Sequence, residues 1–175
     1  MNSQFLAKLL QQLRSKKGDK GFTLIELLVV VIIVGILAAV ALPNLLGQVG
    51  KGREVEGKNG VGSINRAQQA YHYEAQNFVT LSNTETTASN AIGVIIKPKY
   101  YSFASTANAG ASVTVTGEDA NSANNGTRAY SGGVAFDSGA YDTALCQTVA
   151  KSTTAIAPTV GTGTIDCAAN SIELK

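Results

Sequence analysis

One apolar stretch near the N-terminus dominates the hydrophobic pattern of this chain. Every residue from Leu27 to Leu42 is Leu, Val, Ile, Ala or Gly, and Glu26 is the only charged residue between Gly21 and Gly50. Because a helix rises about 1.5 Å per residue, residues 22–42 would span roughly the 30 Å hydrocarbon core of a bilayer. The pattern therefore predicts a membrane-length helix, which we bound at residues 22–47.

The next segment, residues 48–82, has a weaker helical pattern. Pro43 lacks an N–H and crowds the carbonyl four residues before it, so we expect a kink or a loosened turn there. Each of the glycines that follow costs up to about 1 kcal/mol against Ala in a helix interior; they lie at positions 47, 50, 52, 57, 60 and 62. A Glu54/Lys58 pair gives a little helical support. We expect a weak or locally unwound stem, serving either as a flexible linker or as an extensible part of a filament.

Apolar residues recur with helical spacing from residue 61 onward and predict an amphipathic helix up to residue 81. The predicted apolar stripe is Ile64, Ala67, Tyr71, Ala75 and Phe78. The only histidine, His72, lies in this helix without an acidic or cysteine companion nearby. We therefore expect His72 at the surface or at its boundary, and not in a catalytic or metal site.

Residues 83–175 are predicted to form an exported β-sheet domain, beginning in a Ser, Thr and Asn-rich loop at residues 82–91. Short β-branched or alternating runs then predict three or four antiparallel strands; these are Ile92–Ile96, Tyr100–Ala104, Val113–Thr116 and Ala129–Phe136. A small sheet is marginal alone, so we expect it to pack on the amphipathic helix. The predicted fold class is α+β.

Charge is distributed unevenly along the chain, which has a formal net charge of +2. Residues 1–21 hold five basic residues and one acidic residue, a net of +4, which leaves nine basic and eleven acidic residues, a net of −2, in residues 22–175. Positive charge before the apolar stretch predicts that the N-terminus stays inside and that the rest is exported. The mildly acidic remainder argues against a built-in nucleic-acid surface, which needs clustered basic residues.

Two cysteines, Cys146 and Cys167, lie close to the C-terminus. In an exported chain such a pair most often forms a disulfide, whereas two free buried thiols would suit a cytosolic protein. No histidine accompanies them, so the pair is not a metal signature. The sequence shows no catalytic arrangement and no phosphate loop, and we predict no enzymatic activity, no cofactor and no metal.

Glu26 requires an explanation, because a charged residue in the hydrocarbon region costs about 3 kcal/mol on insertion scales. It could lie at the headgroup level, where water and the helix dipole make it tolerable. Alternatively, the whole run Gly-Phe-Thr-Leu-Ile-Glu-Leu at residues 21–27 resembles the processing and assembly motif of type IV pilins and pseudopilins. In that family a membrane peptidase cuts after the Gly and methylates the new N-terminus, and the Glu pairs with a neighbouring subunit's N-terminal amine. The resemblance implies cleavage between Gly21 and Phe22, N-methylation of Phe22, and assembly through Glu26.

The resemblance also implies a function and a location. The chain would be a prepilin of the inner membrane, with the leader at residues 1–21 removed, and then a subunit of an extracellular pilus used for motility, adhesion and often DNA uptake. Its implied partners are further copies of itself, the inner membrane, the prepilin peptidase and an assembly machinery with cytoplasmic ATPases. DNA is a further implied partner that the sequence itself does not indicate. The apolar run is most similar to those of cyanobacterial major pilins.

Three alternatives remain open at this point. The chain could be a pseudopilin that forms a short periplasmic piston for secretion. It could be a membrane-anchored or secreted binding module, for which the apolar stretch is only an anchor. It could also carry an ordinary secretory signal cut after Ala41, because Ala39-Val40-Ala41 fits such a site.

Overall fold

A computed structural model describes residue 8 and residues 21–83, 91–108 and 110–174. Most of the predicted leader and most of the loop predicted at residues 82–91 lie outside these residues. The chain divides into two compact units, residues 1–43 and residues 44–175. We refer to them as the first and the second unit.

A single helix, α1, extends over 52 residues from Leu24 to Ala75. It continues through Pro43 and through the predicted boundary at residue 47, so residues 44–60 are helical. The predicted loosening at Pro43 stays a prediction. The helix ends where Gln76, whose N–H donates to the His72 carbonyl, adopts a left-handed conformation with φ of 53°.

Within the first unit, α1 presents apolar side chains on every face. Its most apolar window has a mean hydropathy of 3.1, and none of that window is buried within the chain. Length and composition therefore allow this part of α1 to cross a membrane.

Within the second unit, five strands form an antiparallel sheet in the order β1-β2-β3-β4-β7. The strands are β1 (Ser102–Asn108), β2 (Ser112–Glu118), β3 (Tyr130–Asp137), β4 (Ala140–Thr148) and β7 (Ser171–Glu173). A short helix, α2 (Ser122–Asn125), precedes β3, and β5 (Thr159–Val160) pairs with β6 (Ile165–Asp166) in a small hairpin. The α+β prediction is confirmed.

The sheet has a covering element on each face. On one face, Val61 and Ile64 of α1 pack in a buried cluster with Tyr101, Phe103 and strand residues that include Val115 and Tyr130. On the other face, Ile165 of the β5–β6 hairpin packs against Ala135, Ala144 and Cys146. Because side chains alternate between the two faces of a strand, β3 contributes to both clusters.

Several expectations for individual elements were wrong. Residues Ile92–Ile96 form no strand, and the strand predicted at Tyr100–Ala104 begins later, at Ser102. Strand β4 was missed, because Ala, Asp and Gln lower its β-propensity and its place in the sheet comes from pairing with β3. The segment around 105–127, which is rich in small residues and for which we predicted only the strand Val113–Thr116, includes most of β1 and all of β2.

The buried stripe of α1 also differs from the predicted stripe. From residue 61 onward it consists of Val61, Ile64, Asn65, Gln68 and His72, so three of these five residues are polar. The helix ends at Ala75 and not at residue 81, and Phe78 is buried although it follows the helix. Hydrophobic periodicity alone could not find these positions, because buried polar residues are tolerated once hydrogen bonds satisfy them.

Candidate assembly site and its supporting contacts

The N-terminus of α1 is capped by three reciprocal hydrogen bonds between Thr23 and Glu26. The Thr23 hydroxyl accepts a bond from the Glu26 backbone N–H at 3.3 Å, and Glu26 Oε2 accepts bonds from the Thr23 backbone N–H at 2.8 Å and from the Thr23 hydroxyl at 2.9 Å. This arrangement is a capping box, in which a Thr before the helix and a Glu three residues later satisfy each other's backbone donors. The carboxylate is therefore directed back toward the start of the helix, next to Gly21 and Phe22.

The surroundings of Glu26 are apolar and open. A shallow surface hollow beside the carboxylate is lined by Phe22, Ile25, Val29 and Val30. Phe22 is 84% exposed. The structure thus brings Gly21, Phe22 and Glu26 together at one end of α1, on a surface that needs lipid or protein to cover it.

Three stem glycines lie where α1 approaches the rest of the second unit most closely. A Cβ on Gly50 would lie 2.9 Å from the Gly126 carbonyl oxygen, one on Gly57 would lie 2.6 Å from the Tyr101 ring, and one on Gly60 would overlap the Phe103 ring. Gly47 and Gly52, in contrast, have no such neighbour within 4 Å. The sequence indicated only that glycines weaken the helix, whereas the structure shows that three of them permit its packing.

Two carboxylates in the same part of α1 bond to other elements of the second unit. Glu54, only 6% exposed, pairs with Arg128, and this pairing replaces the predicted pair with Lys58. Glu56 Oε1 accepts three backbone N–H bonds, from residues 99, 100 and 101, at 2.8 to 2.9 Å. These contacts fix α1 to the start of β1 and to the segment that precedes β3.

Two buried tyrosines surround the Glu54/Arg128 pair. Burial raises the pKa of Tyr130 to about 12, and the nearby Glu54 carboxylate adds to this shift. Burial also raises the pKa of Tyr101, with Tyr130 as the next cause. Bonding to Glu54 raises the pKa of Arg128, so the guanidinium stays charged.

His72 is buried, contrary to the expectation of a surface or boundary position. It is 2% exposed, its ring stacks on Phe78 at 4.2 Å between centroids, and it also contacts Phe136. Nδ1 lies 2.8 Å from the Tyr141 hydroxyl and Nε2 lies 3.0 Å from the Gly110 carbonyl oxygen. Both ring nitrogens are satisfied within the fold, so the contacts of His72 are structural.

Cys146 and Cys167 form the predicted disulfide, with their Cα atoms 5.6 Å apart. The bond ties the segment that follows β6 to β4. Nearby, the Asp142 carboxylate accepts the Ile165 N–H at 2.9 Å. Among the residues that the structure describes, no three His, Cys, Asp or Glu side chains are grouped as metal ligands would be.

Comparisons with known proteins identify families and relatives that are similar to this chain. Residues 54–168 match the family described as type IV pilin-like G and H, and residues 16–42 match the prokaryotic N-terminal methylation motif. The chain is 37% identical over 70 residues to the type IV major pilin protein PilA of Myxococcus xanthus, covering 40% of this chain and 32% of that protein. It is 44% identical over 57 residues to the fimbrial protein EcpC of Eikenella corrodens, covering 33% of this chain and 37% of that protein.

A secretion-system protein is similar as well. The chain is 29% identical over 68 residues to the type II secretion system core protein G of Escherichia coli, covering 39% of this chain and 47% of that protein. The matches to these three relatives thus span between about a third and a half of their lengths. Because the family match covers residues 54–168, well over half of the chain, this protein belongs to the type IV pilin-like G and H family.

Proposed function

We propose that this chain is the structural subunit of an extracellular type IV pilus, made in the inner membrane as a prepilin and cut after Gly21. The observation that carries the proposal is a helix that is apolar and exposed on every face and begins with a capped carboxylate, Glu26. A surface of this kind must be covered by lipid before assembly and by other copies of itself afterward. The similarity to pilus and fimbrial proteins supports this role, which is structural and not enzymatic.

Within this proposal Glu26 is the assembly residue. Removal of residues 1–21 would leave an ammonium on Phe22, one residue before the Thr23 that bonds Glu26. A neighbouring subunit's Phe22 ammonium could then pair with Glu26, which would offset the cost of a carboxylate in an apolar bundle. The prepilin peptidase, which would also methylate Phe22, and an assembly machinery with cytoplasmic ATPases complete the proposed set of partners.

Glu26→Ala tests the assembly role. We expect this variant to be made and processed but to yield no filaments in electron micrographs, because the Phe22 ammonium of the next subunit would lack its partner. Glu74→Ala is the matched control, since Glu74 is an exposed carboxylate of the same helix. Normal filaments from the Glu26 variant would remove the proposed pairing.

The stem offers a second test of the filament proposal. Residues 44–49 of α1 are exposed, whereas contacts with the rest of the second unit begin at Gly50. We propose that unwinding and extension of the helix are confined to the segment from Pro43 to residue 49. Hydrogen exchange on assembled filaments should then be fast at amides 44–49 and slow at amides 53–60, and protection of amides 44–60 equal to that of residues 25–40 would contradict it.

The second candidate function is that of a pseudopilin, and the similarity to the secretion-system protein of Escherichia coli favours it. The two candidates share the processing motif and differ in the assembly they build. Electron microscopy of cells that lack this chain separates them. Loss of all long surface filaments supports the pilus subunit, and intact filaments with a secretion defect support the pseudopilin.

A further inference from the structure

Three basic side chains lie around one end of the second unit, where α1 meets α2 and the start of β1, and two further exposed lysines are close to them in sequence. Arg53 donates to Asn125 Oδ1 at 2.7 Å, and its guanidinium lies 4.9 Å from the centroid of the Tyr100 ring. The Lys99 ammonium lies 5.3 Å from the same centroid. Lys151 lies beside Gly126, with Nζ 3.5 Å from the position of a Cβ there. We call these residues, together with the exposed Lys51 and Lys97, the basic surface; its members are Lys51, Arg53, Lys97, Lys99 and Lys151.

Carboxylates in this region are engaged in hydrogen bonds within the fold. Glu54 is paired with Arg128, and the half-buried Glu56 accepts three backbone N–H bonds. Glu118, also half-buried, accepts the Ala155 N–H at 2.9 Å. Asp119, only 1% exposed, accepts from the Asn121 N–H and from the side chains of Asn125 and Thr127. The lysines, in contrast, are exposed. The solvent at this end therefore meets mainly positive charge, although residues 22–175 are net acidic.

The opposite end of the second unit is acidic. Exposed or half-buried carboxylates there are Glu74, just after His72, Asp137 and Asp142 around the β3–β4 turn, and Asp166 in β6. Lys58 and Arg66 are the basic residues of α1 between the two ends. The net charge of residues 22–175 does not show this separation of charge, because basic and acidic residues cancel in the sum.

We propose that the basic surface docks on anionic lipid headgroups while the chain is anchored in the membrane. The inference rests on the proposed membrane anchorage of α1, but not on filament assembly. Lys51 follows Leu42 by nine residues, which reach at most about 30 Å even when fully extended. Chain length alone thus holds the basic surface near the bilayer, and the tether raises its effective concentration there. Basic clusters close to a membrane helix are attracted to anionic lipid, and tyrosines favour the headgroup level.

Lipid fits this surface better than single-stranded nucleic acid does. Binding of single strands requires open aromatic faces on which bases stack. The Tyr100 ring, the aromatic group of the basic surface, already has Arg53 and Lys99 beside it. Tyr101 is buried in the core and offers no stacking face either.

The test uses the full chain in lipid nanodiscs that carry a nitroxide on a small fraction of headgroups. One set of nanodiscs contains phosphatidylcholine only, and the other adds phosphatidylglycerol as the anionic lipid. We expect the amide signals of residues 97–101 to be attenuated several-fold more in the anionic discs, and those of residues 137–142 to be unchanged. The difference should disappear at high salt, because screening weakens contacts between exposed charges.

Lys97→Gln/Lys99→Gln is the diagnostic variant, and Arg66→Gln is its control. The double variant should lose most of the extra attenuation, whereas the control should keep it. Equal attenuation in both lipids would overturn the proposal. If that attenuation rose with the number of chains per disc, the basic surface would be assigned to contact with a second copy of the chain. Shifts of the same amides on addition of duplex DNA, without a lipid effect, would assign it to nucleic acid. A chain that does not co-migrate with the discs would instead contradict the membrane anchorage of the proposed function.

Discussion

Glu54 and Arg128 are joined by two parallel hydrogen bonds, with Nε–Oε1 and Nη2–Oε2 both at 2.9 Å. Glu54 Oε1 also accepts the backbone N–H of Arg128 at 2.9 Å. The residues are 74 positions apart, so the pair links α1 to the segment between α2 and β3. The sequence predicted that Glu54 pairs with its neighbour Lys58, whereas the structure pairs it with a residue far along the chain.

Arg128→Ala should destabilise the second unit by about 2 kcal/mol or more, because it leaves the buried Glu54 carboxylate without its partner. Thermal or urea unfolding of the full chain in detergent measures the change. Lys58→Ala is the control, since Lys58 is the i, i+4 neighbour that the sequence indicated; its effect should stay within about 0.5 kcal/mol. A larger loss from the Lys58 variant would contradict the assignment of the pair.

Gly57→Ala should destabilise the fold by roughly 1–3 kcal/mol, since the new Cβ would lie 2.6 Å from the Tyr101 ring. Gly52→Ala should have the opposite sign and stabilise the helix by up to about 1 kcal/mol, because its position is open. Comparison of the two melting temperatures checks the packing of α1 on the sheet. Equal effects would mean that α1 does not approach the sheet at Gly57.

Stability should fall as the pH rises from about 10 to about 12. Tyr130 has a folded pKa of about 12, against about 10 in the unfolded chain, so its contribution is complete below pH 10 and is lost toward pH 12. Tyr101 shifts in the same direction. Spectrophotometric titration should show Tyr101 and Tyr130 ionising late. Tyr130→Phe should remove one of these late ionisations, and an unchanged titration curve would contradict the prediction.

Loss of the disulfide should loosen one face of the sheet. In the chain-entropy model, closing a loop of this length stabilises the fold by about 3 kcal/mol. Cys146→Ser/Cys167→Ser should therefore lower the unfolding free energy by about that amount and speed hydrogen exchange at residues 159–166. Amides 61–72 of α1, which face the opposite side of the sheet, should stay protected below the unfolding transition, and equal loss of protection in both segments would contradict this division.

The features that sequence reasoning predicted correctly are those that few residues determine. The helix follows from the apolar length of residues 22–42, and the family resemblance follows from the run Gly21 to Leu27. The disulfide follows from the single pair of cysteines. Strands β2 and β3 were found because Val, Tyr and Phe concentrate in them. The cyanobacterial likeness stays a prediction.

The features that were missed depend on contacts between distant segments. His72 is buried because Phe78, Phe136 and Tyr141 surround it. Of these three residues, only Phe78 belongs to the apolar stripe that the sequence predicted. From the sequence, Gly57 is only a residue that weakens the helix. The structure shows that the Tyr101 ring leaves no space for a Cβ at this position. The basic surface combines residues from 51 to 151, and no local window of the sequence reveals it.

Mass spectrometry of the subunit recovered from sheared surface filaments tests the central claim most directly. Processing between Gly21 and Phe22 predicts a mature chain that begins at Phe22, carries one methyl group on its N-terminal nitrogen and extends over an intact Cys146–Cys167 disulfide. A chain that retains residues 1–21, or one that begins at Leu42 after cleavage of an ordinary secretory signal, would contradict it.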